Sequence, residues 1–332
     1  MDTNYKRICG PLLKDKSSKE KQMDTSLFRG ETIAEVVRAG LVESVHSGHL
    51  LELDEKGQVV KSLGSVHIPV YPRSSVKALQ ASAMVRAGLK LSAEQLAVVC
   101  ASHSGSEEHF TVIRSILSAH KLDESAFRNS TDFPLGEKER RAWGDKAPTQ
   151  LAQNCSGKHA GMLATCVVNG WDTNNYTDPT HPLQQLIVEE FETVAREKIQ
   201  YLTADGCGAP LFALSMAGLA QGIHTITISN DPVHQEVVSA CRSNPLMIAG
   251  EGRLTTRLMR AVPGLFMKEG AEGVEVLSMP DGRTLVIKCA DGSWRPMGPI
   301  ITATFKRWGV EAPDENVYVY GGGKVVGQVE AR

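Results

Sequence analysis

Apolar and polar residues alternate near both ends of the chain, whereas apolar residues recur every three to four positions through its middle. Near the ends, alternating runs bounded by Gly-bearing turns are typical of strands joined in hairpins. These runs predict strands at 34–40, 43–54, 58–63, 265–268, 274–278, 284–288, 317–320 and 325–330.

The helical period covers most of the chain between the two strand regions and returns once near the C-terminus. It predicts helices at 75–87, 91–101, 107–120, 154–168, 182–198, 211–220, 232–243, 252–262 and 297–308. Because strands and helices are segregated, we expect an α+β fold, with an antiparallel sheet built from both chain ends, flanked by helices, and a mostly helical middle lobe. The middle cannot be separated cleanly from the sheet. The pattern therefore predicts a single two-lobed domain at 29–332 after a flexible polar tail at 1–28.

The charge and the cysteines narrow the class of protein. With 36 basic and 38 acidic residues, a formal net charge of −2 creates no strong field for nucleic acid or an anionic membrane. No apolar run approaches the roughly 20 residues that span a bilayer, and the first 22 residues lack the apolar core of a secretory signal. Seven widely spaced cysteines indicate reduced thiols. We expect a cytoplasmic protein with neither nucleic-acid nor membrane partners.

The stretch after Pro72 carries the first candidate chemistry. Ser74 is a suitable N-cap for the predicted helix, and Lys77 lies three residues later on the same face of its first turn. In such a Ser-x-x-Lys arrangement, an uncharged lysine can take the proton of a nucleophilic serine. The alternative is an ordinary serine cap followed by a surface lysine.

A second lysine lies far along the chain. Lys268 and Gly270 form a Lys-x-Gly at the end of a predicted strand, and this order of motifs is that of the serine β-lactamase and penicillin-binding group. A second ammonium beside Lys77 would help keep it neutral, and Gly270 would let the backbone approach a ligand closely. We expect Glu269 to face solvent, since strand neighbours alternate faces. The alternative is an ordinary lysine at a strand end.

Other polar groups follow apolar runs in the middle of the chain. The loop Ser102-His103-Ser104 offers a serine or a histidine to such a site, although serine and glycine are also common turn formers. Two cysteines are predicted in Gly-bearing turns at the starts of helices, where thiol pKa values fall. They suggest a zinc site with the candidate ligands Cys155, Cys207, His159 and Asp205, or else two buried thiols.

Taken together, these segments resemble the asparaginase II family, the thermolabile, rhizobial-type L-asparaginases. The resemblance runs from about Ala34 to Val329. It is carried, in order, by Pro72–Lys77, Cys100–Ser104, Asn154–Leu163, Asp205–Cys207, Ile248–Arg253 and Lys268-x-Gly270.

The resemblance implies a serine β-lactamase-like and glutaminase-like fold, a homodimer, and hydrolysis of L-asparagine to L-aspartate and ammonia. It implies two Ser-Lys pairs, which fall on Ser74 with Lys77 and on Ser102 with Lys268. It also implies Zn2+ near the substrate, held by Cys155, Lys158 and Cys207.

The substrate's α-carboxylate and α-ammonium need charged partners, for which the candidates are Arg73, His159 and Asp205. Which serine attacks stays open at this point. The alternatives are a Ser-Lys hydrolase of glutamine, a D-peptide or a β-lactam, and a non-catalytic relative that uses the pocket for binding.

Overall fold

The computed structural model describes residues 25–332. Most of the predicted tail, residues 1–24, lies outside this range. The described chain begins with a single helical turn, α1, at Ser26–Arg29, and strand β1 follows directly. Within residues 25–332, no helix combines the length and the apolar character needed to cross a bilayer.

Eleven strands form the two sheets of the described chain. They are β1 Glu31–Arg38, β2 Leu41–Leu53, β3 Val59–Leu63, β4 Pro69–Val70, β5 Tyr201–Ala204, β6 Pro210–Ser215, β7 Phe266–Gly270, β8 Val274–Ser278, β9 Thr284–Cys289, β10 Tyr318–Gly321 and β11 Lys324–Ala331.

The large sheet has the order β10-β11-β1-β2-β9-β8-β7, with β3 also paired to β2, and all of its pairs are antiparallel. It therefore joins strands from both chain ends, and the predicted α+β architecture is confirmed. The three-stranded sheet has the order β4-β6-β5.

The other α-helices lie in the middle of the sequence and in the segment before the last hairpin. They are α2 Lys77–Arg86, α3 Ala93–Val99, α4 Glu107–Ala119, α5 Glu137–Trp143, α6 Ser156–Asn169, α7 Pro182–Ala195, α8 Met216–Ile228, α9 Pro232–Ser243, α10 Pro245–Ile248, α11 Leu254–Ala261 and α12 Met297–Trp308.

One predicted helix is wrong in part. The expected helix at 211–220 is strand β6 as far as Ser215, paired with β5, and α8 begins only at Met216. The Ser215 hydroxyl caps α8 by accepting from the Gly218 N–H at 2.9 Å. A short apolar run fits a buried strand as well as a helix, so its period could not separate them.

A charge network around the buried Glu190 joins three helices of the middle lobe. Glu190 on α7 accepts from Arg86 at the end of α2 at 2.9 Å and lies 2.6 Å from the His234 ring on α9. Arg86 also donates to Asp231, whose carboxylate caps α9. Burial alone would raise the pKa of Glu190, but its bonds to His234 and Arg86 outweigh burial and hold that pKa below the ordinary value. The network fixes α2 against the rest of the lobe.

We expect Glu190→Gln to lower the free energy of unfolding by about 1–3 kcal/mol, because it leaves the buried His234 and the half-exposed Arg86 without their carboxylate. Urea unfolding at pH 7 measures this, with the exposed Glu189→Gln on the same helix as the matched control. Because the folded pKa of Glu190 is lowered, its contribution is present above its unfolded pKa and is lost as pH falls through the folded value. Equal stability of the two variants would contradict the network's role.

Candidate active site

The segment that carries Ser74 is a turn and not the first turn of an α-helix. A 3-10 turn covers Arg73–Val76, and α2 starts at Lys77 without a side-chain cap, so the predicted capping by Ser74 is wrong. The Ser75 hydroxyl donates to the Pro72 carbonyl at 2.7 Å, which ties the turn together. Arg73 adopts φ +53°, a strained value for a residue other than glycine. The Ser74 hydroxyl makes no hydrogen bond within residues 25–332.

The end of β7 lies directly against this turn. A Cβ atom on Gly270 would come within 2.4 Å of the Pro72 carbonyl oxygen and 3.3 Å of the Ser74 nitrogen. Only a residue without a side chain allows that approach. The close contact at Gly270 is made with the Ser74 turn, whereas the sequence predicted a close approach to a ligand.

The second predicted pair is in direct contact. Lys268 on β7 donates from Nζ to Ser102 Oγ at 2.8 Å and to the Glu269 carbonyl at 2.8 Å. The Ser102 N–H donates to the Ile248 carbonyl at 3.0 Å, so a backbone bond from the segment after α9 holds the serine in place. Lys268 and Ser102 are both buried. The arrangement suits proton transfer between a hydroxyl and an amine.

Burial shifts the protonation of this lysine. It lowers the pKa of Lys268 to about 8, and the positive charge of Lys77 acts in the same direction. The negative charge of Glu269 opposes the change without cancelling it. A substantial fraction of Lys268 is therefore neutral near pH 8 and able to accept a proton.

Lys77 has different partners from those expected. Its Nζ donates to the Ala101 carbonyl and to Cys155 Sγ, the latter at 3.1 Å. Its backbone N–H donates to the Ser74 carbonyl, but no side-chain hydrogen bond joins Ser74 and Lys77 within residues 25–332. The lysine thus lies between the segment that carries Ser102 and the thiol pair.

The three zinc ligands implied by the resemblance lie together. Cys155, Lys158 and Cys207 are all buried, and Lys158 donates from Nζ to Cys207 Sγ at 3.2 Å. A hydrogen bond from the Cys155 thiol, and then the charge of Lys158, lower the pKa of Cys207 to about 5, while the bond to Cys207 and burial raise the pKa of Cys155 to about 12. Burial opposes the charged form of Lys158, but the two sulfurs outweigh it and raise the pKa of that amine. The two sulfurs are donors that zinc accepts, and the Lys158 amine would have to lose its proton to join them as a ligand.

The four ligands suggested by residue type alone do not converge: no three of them lie close enough to hold one ion. Cys207 is in the β5–β6 hairpin turn and not at a helix start. His159 Nδ1 lies 2.7 Å from the Tyr176 hydroxyl, and Asp205 is paired with Arg73.

The relation to known proteins follows from the whole-chain comparison. The family model described as L-asparaginase II matches residues 34–330. The chain belongs to the L-asparaginase II family. Membership supports an amidohydrolase with a small amide substrate, and it accords with the resemblance of the six motifs.

Among solved structures, this L-asparaginase II family member is similar to a β-lactamase from Mycobacterium bovis, with 14% sequence identity and a TM-score of 0.41. The alignment covers 78% of this chain and 94% of the other. A search of curated proteins finds no match.

Arg73 and Asp205 meet beside the Ser74 turn of this asparaginase II family member. Arg73 Nε donates to Asp205 Oδ1 at 2.8 Å, and the Arg73 side chain remains partly exposed. Burial alone would raise the pKa of Asp205, but the charges of Lys158 and Arg73 outweigh it and lower that pKa. The pair therefore presents one fixed positive and one fixed negative charge at the site.

The expectation that Glu269 faces solvent is wrong. All five residues of β7 are buried, and Glu269 is ion-paired with Arg253, which precedes α11. The alternation of faces did not expose Glu269 because both faces of β7 are covered. Arg253 belongs to the Gly-Glu-Gly-Arg motif, so its position in that motif was the available signal.

Sequence reasoning also missed Glu275. It lies opposite Glu269 in the β7–β8 register, is fully buried, and has no hydrogen-bond partner for either oxygen within residues 25–332. Burial raises the pKa of Glu275 well above its usual range, and the charge of Glu269 acts in the same direction. Its surroundings therefore favour the protonated, uncharged form of Glu275. A single carboxylate within an otherwise apolar strand was the signal in the sequence.

We expect Gly270→Ala to lower the activity of the enzyme by at least about tenfold, because the added methyl must push the Ser74 turn away from β7. Steady-state kinetics and thermal unfolding measure the two effects. The matched control is Gly222→Ala on α8, where a Cβ would make an ordinary 3.4 Å contact with Leu79. Activity of Gly270→Ala equal to that of Gly222→Ala would show that the close approach is not required.

Proposed function

We propose that this protein hydrolyses L-asparagine to L-aspartate and ammonia by serine-based nucleophilic catalysis. The observation that carries the proposal is the Lys268–Ser102 hydrogen bond of 2.8 Å, in which burial lowers the pKa of the lysine. Family membership supports an amide as the substrate. A buried amine near its neutral state, paired with a hydroxyl, is the base that activation of a serine requires.

In this proposal Ser74 is the nucleophile. Its hydroxyl is not tied to another group, and it sits on a strained turn pressed against Gly270. Ser74 Oγ attacks the side-chain amide carbon, an ester forms, and the C–N bond breaks to release ammonia. The proton of Ser74 passes to the Ser102–Lys268 pair, which returns a proton to the leaving nitrogen. Water then hydrolyses the ester and regenerates the hydroxyl.

The charged pair at the edge of the site provides recognition of an α-amino acid. Asparagine carries an α-carboxylate and an α-ammonium, and Arg73 and Asp205 offer one partner for each. When the substrate binds, Arg73 and Asp205 break the bond to each other and each forms a bond with the substrate. Neither charge is then left unpaired. His159, the third candidate for substrate binding, is fully buried, and its Nδ1 lies 2.7 Å from the Tyr176 hydroxyl.

Cys155, Lys158 and Cys207 would hold the zinc ion that the family resemblance implies, and such an ion would supply a fixed positive charge beside the substrate pocket. The chain's own residues carry out the proton transfers described above. We further propose that the protein acts as a homodimer in the cytoplasm.

We expect the protein to release ammonia from L-asparagine and Ser74→Ala to lose at least about 1000-fold in kcat. Peptide mapping of an acid-quenched reaction should find the aspartyl adduct on Ser74. Ser75→Ala is the neighbouring control, because the Ser75 hydroxyl only ties the turn to Pro72. An adduct on Ser102 would reverse the roles of the two serines. If glutamine, a D-peptide or a penicillin is turned over faster than asparagine, that compound is the substrate and asparagine is not.

We expect kcat/KM to rise with pH and to level off above about pH 8, because only neutral Lys268 accepts a proton and its folded pKa is about 8. The ordinary lysine pKa of 10.5 would place the midpoint far higher. Lys268→Arg should lower the rate by about 100- to 10,000-fold and remove this limb, since arginine stays charged. A wild-type profile that is flat between pH 6 and pH 9 would exclude Lys268 as the base.

A further inference from the structure

Three potential metal ligands meet on the large sheet, in residues that the proposed catalytic site does not use. His46 lies on β2, Cys289 ends the adjacent strand β9, and Asp291 follows in the next turn. Their nitrogen, sulfur and oxygen atoms all lie within 4.8 Å of one another. Within residues 25–332 this is the one group of three or more His, Cys, Asp or Glu side chains that meets this condition.

The state of His46 calls for an explanation. The residue is only 8% exposed, and neither of its ring nitrogens has a hydrogen-bond partner within the described part of the chain. Nδ1 lies 3.5 Å from Asp291 Oδ2, at the outer limit of a polar contact. Leaving a buried ring nitrogen without a partner is costly, so most buried polar groups are bonded. A bound cation would give one ring nitrogen the partner that it lacks.

The spacing of the three groups suits zinc. Metal–ligand distances of about 2.0–2.3 Å in a tetrahedron place neighbouring ligand atoms about 3.3–3.8 Å apart. The His46–Asp291 distance of 3.5 Å matches this spacing, and Cys289 Sγ lies 2.9 Å from Asp291 Oδ1. The sulfur needs to move outward by less than about 1 Å to admit an ion.

We propose that His46, Cys289 and Asp291 bind one Zn2+ ion, separate from the ion implied at Cys155, Lys158 and Cys207. Imidazole, thiolate and carboxylate are the donors that zinc takes in proteins, whereas calcium and magnesium take oxygen alone. On binding, the Cys289 S–H bond breaks, an S–Zn bond forms, and the proton leaves to solvent. Asp291 is exposed, so a water molecule completes the coordination.

Such an ion would cross-link the sheet close to its middle. It joins β2 to the turn after β9, where the Asp291 carboxylate also accepts from the Ser293 N–H at 2.9 Å. None of its ligands is a ligand of the other proposed ion. None of them belongs to the proposed catalytic site either, so the proposal predicts that zinc stabilises the fold without entering the reaction.

Zinc content of the full-length protein tests the proposal. Wild type, His46→Gln and Asp291→Ala are stripped with a chelator, reloaded with Zn2+, freed of unbound ion, and measured for zinc per chain. The controls are His67→Gln, an exposed histidine outside the cluster, and Cys207→Ser, which removes a ligand of the other ion. Thermal unfolding with and without Zn2+ is recorded for each protein.

We expect His46→Gln and Asp291→Ala each to lose one equivalent of zinc relative to wild type, and His67→Gln to lose none. The double variant His46→Gln/Cys207→Ser should lose the zinc of both sites, and ammonia release by Asp291→Ala should equal that of wild type. Because Asp291 is exposed, its variant keeps the test valid if His46→Gln does not fold. Wild-type zinc content in Asp291→Ala, or equal zinc stabilisation of Asp291→Ala and wild type, would overturn the proposal whether or not the protein hydrolyses asparagine.

Discussion

The central constraint is that the Lys268 amine is buried against the Ser102 hydroxyl, in the middle of β7, the last strand of the large sheet. Burying a charged amine is expensive, so the surroundings of Lys268 favour its neutral form. The amine is therefore held by neutral groups, which position it without favouring its charged form as a carboxylate would. The Ser102 hydroxyl and the Glu269 carbonyl provide two such neutral contacts.

Neighbouring structure is arranged to serve this contact. The turn that carries Ser74 is pressed onto β7 through Gly270, and Ser102 is held by a backbone bond to Ile248. Lys77 comes from the other side and adds positive potential. Elements from four distant parts of the sequence therefore meet at one point, where the helical lobe contacts the large sheet.

Much of the fold could be predicted from hydrophobic period, because segments such as α12 and the β7–β9 meander have strong, unambiguous patterns. The β6 strand could not, since a short apolar run does not reveal its pairing partner. In the site, the meeting of Ser102 with Lys268 came from resemblance and not from residue spacing. The burial of Glu269 and Glu275 was not predicted. Strands covered on both faces bury polar residues that the alternation of faces would expose.

The thiol pair shows the same limit. Residue type suggested Cys155, Cys207, His159 and Asp205 as one set of zinc ligands. In the tertiary structure, however, His159 is hydrogen-bonded to Tyr176, and Asp205 is hydrogen-bonded to Arg73. Local sequence identifies which groups are chemically able to bind a ligand. Long-range packing decides which of them are brought together, and which are already bonded to another group.

The role of Lys268 as a base is tested most directly by a side-chain NMR titration of this lysine, with its signal assigned by comparison with Lys268→Arg. We predict that the Lys268 amine loses its proton with a midpoint near pH 8 in the folded protein. An amine that stays protonated up to pH 10 would show that Lys268 is a fixed cation and not a base.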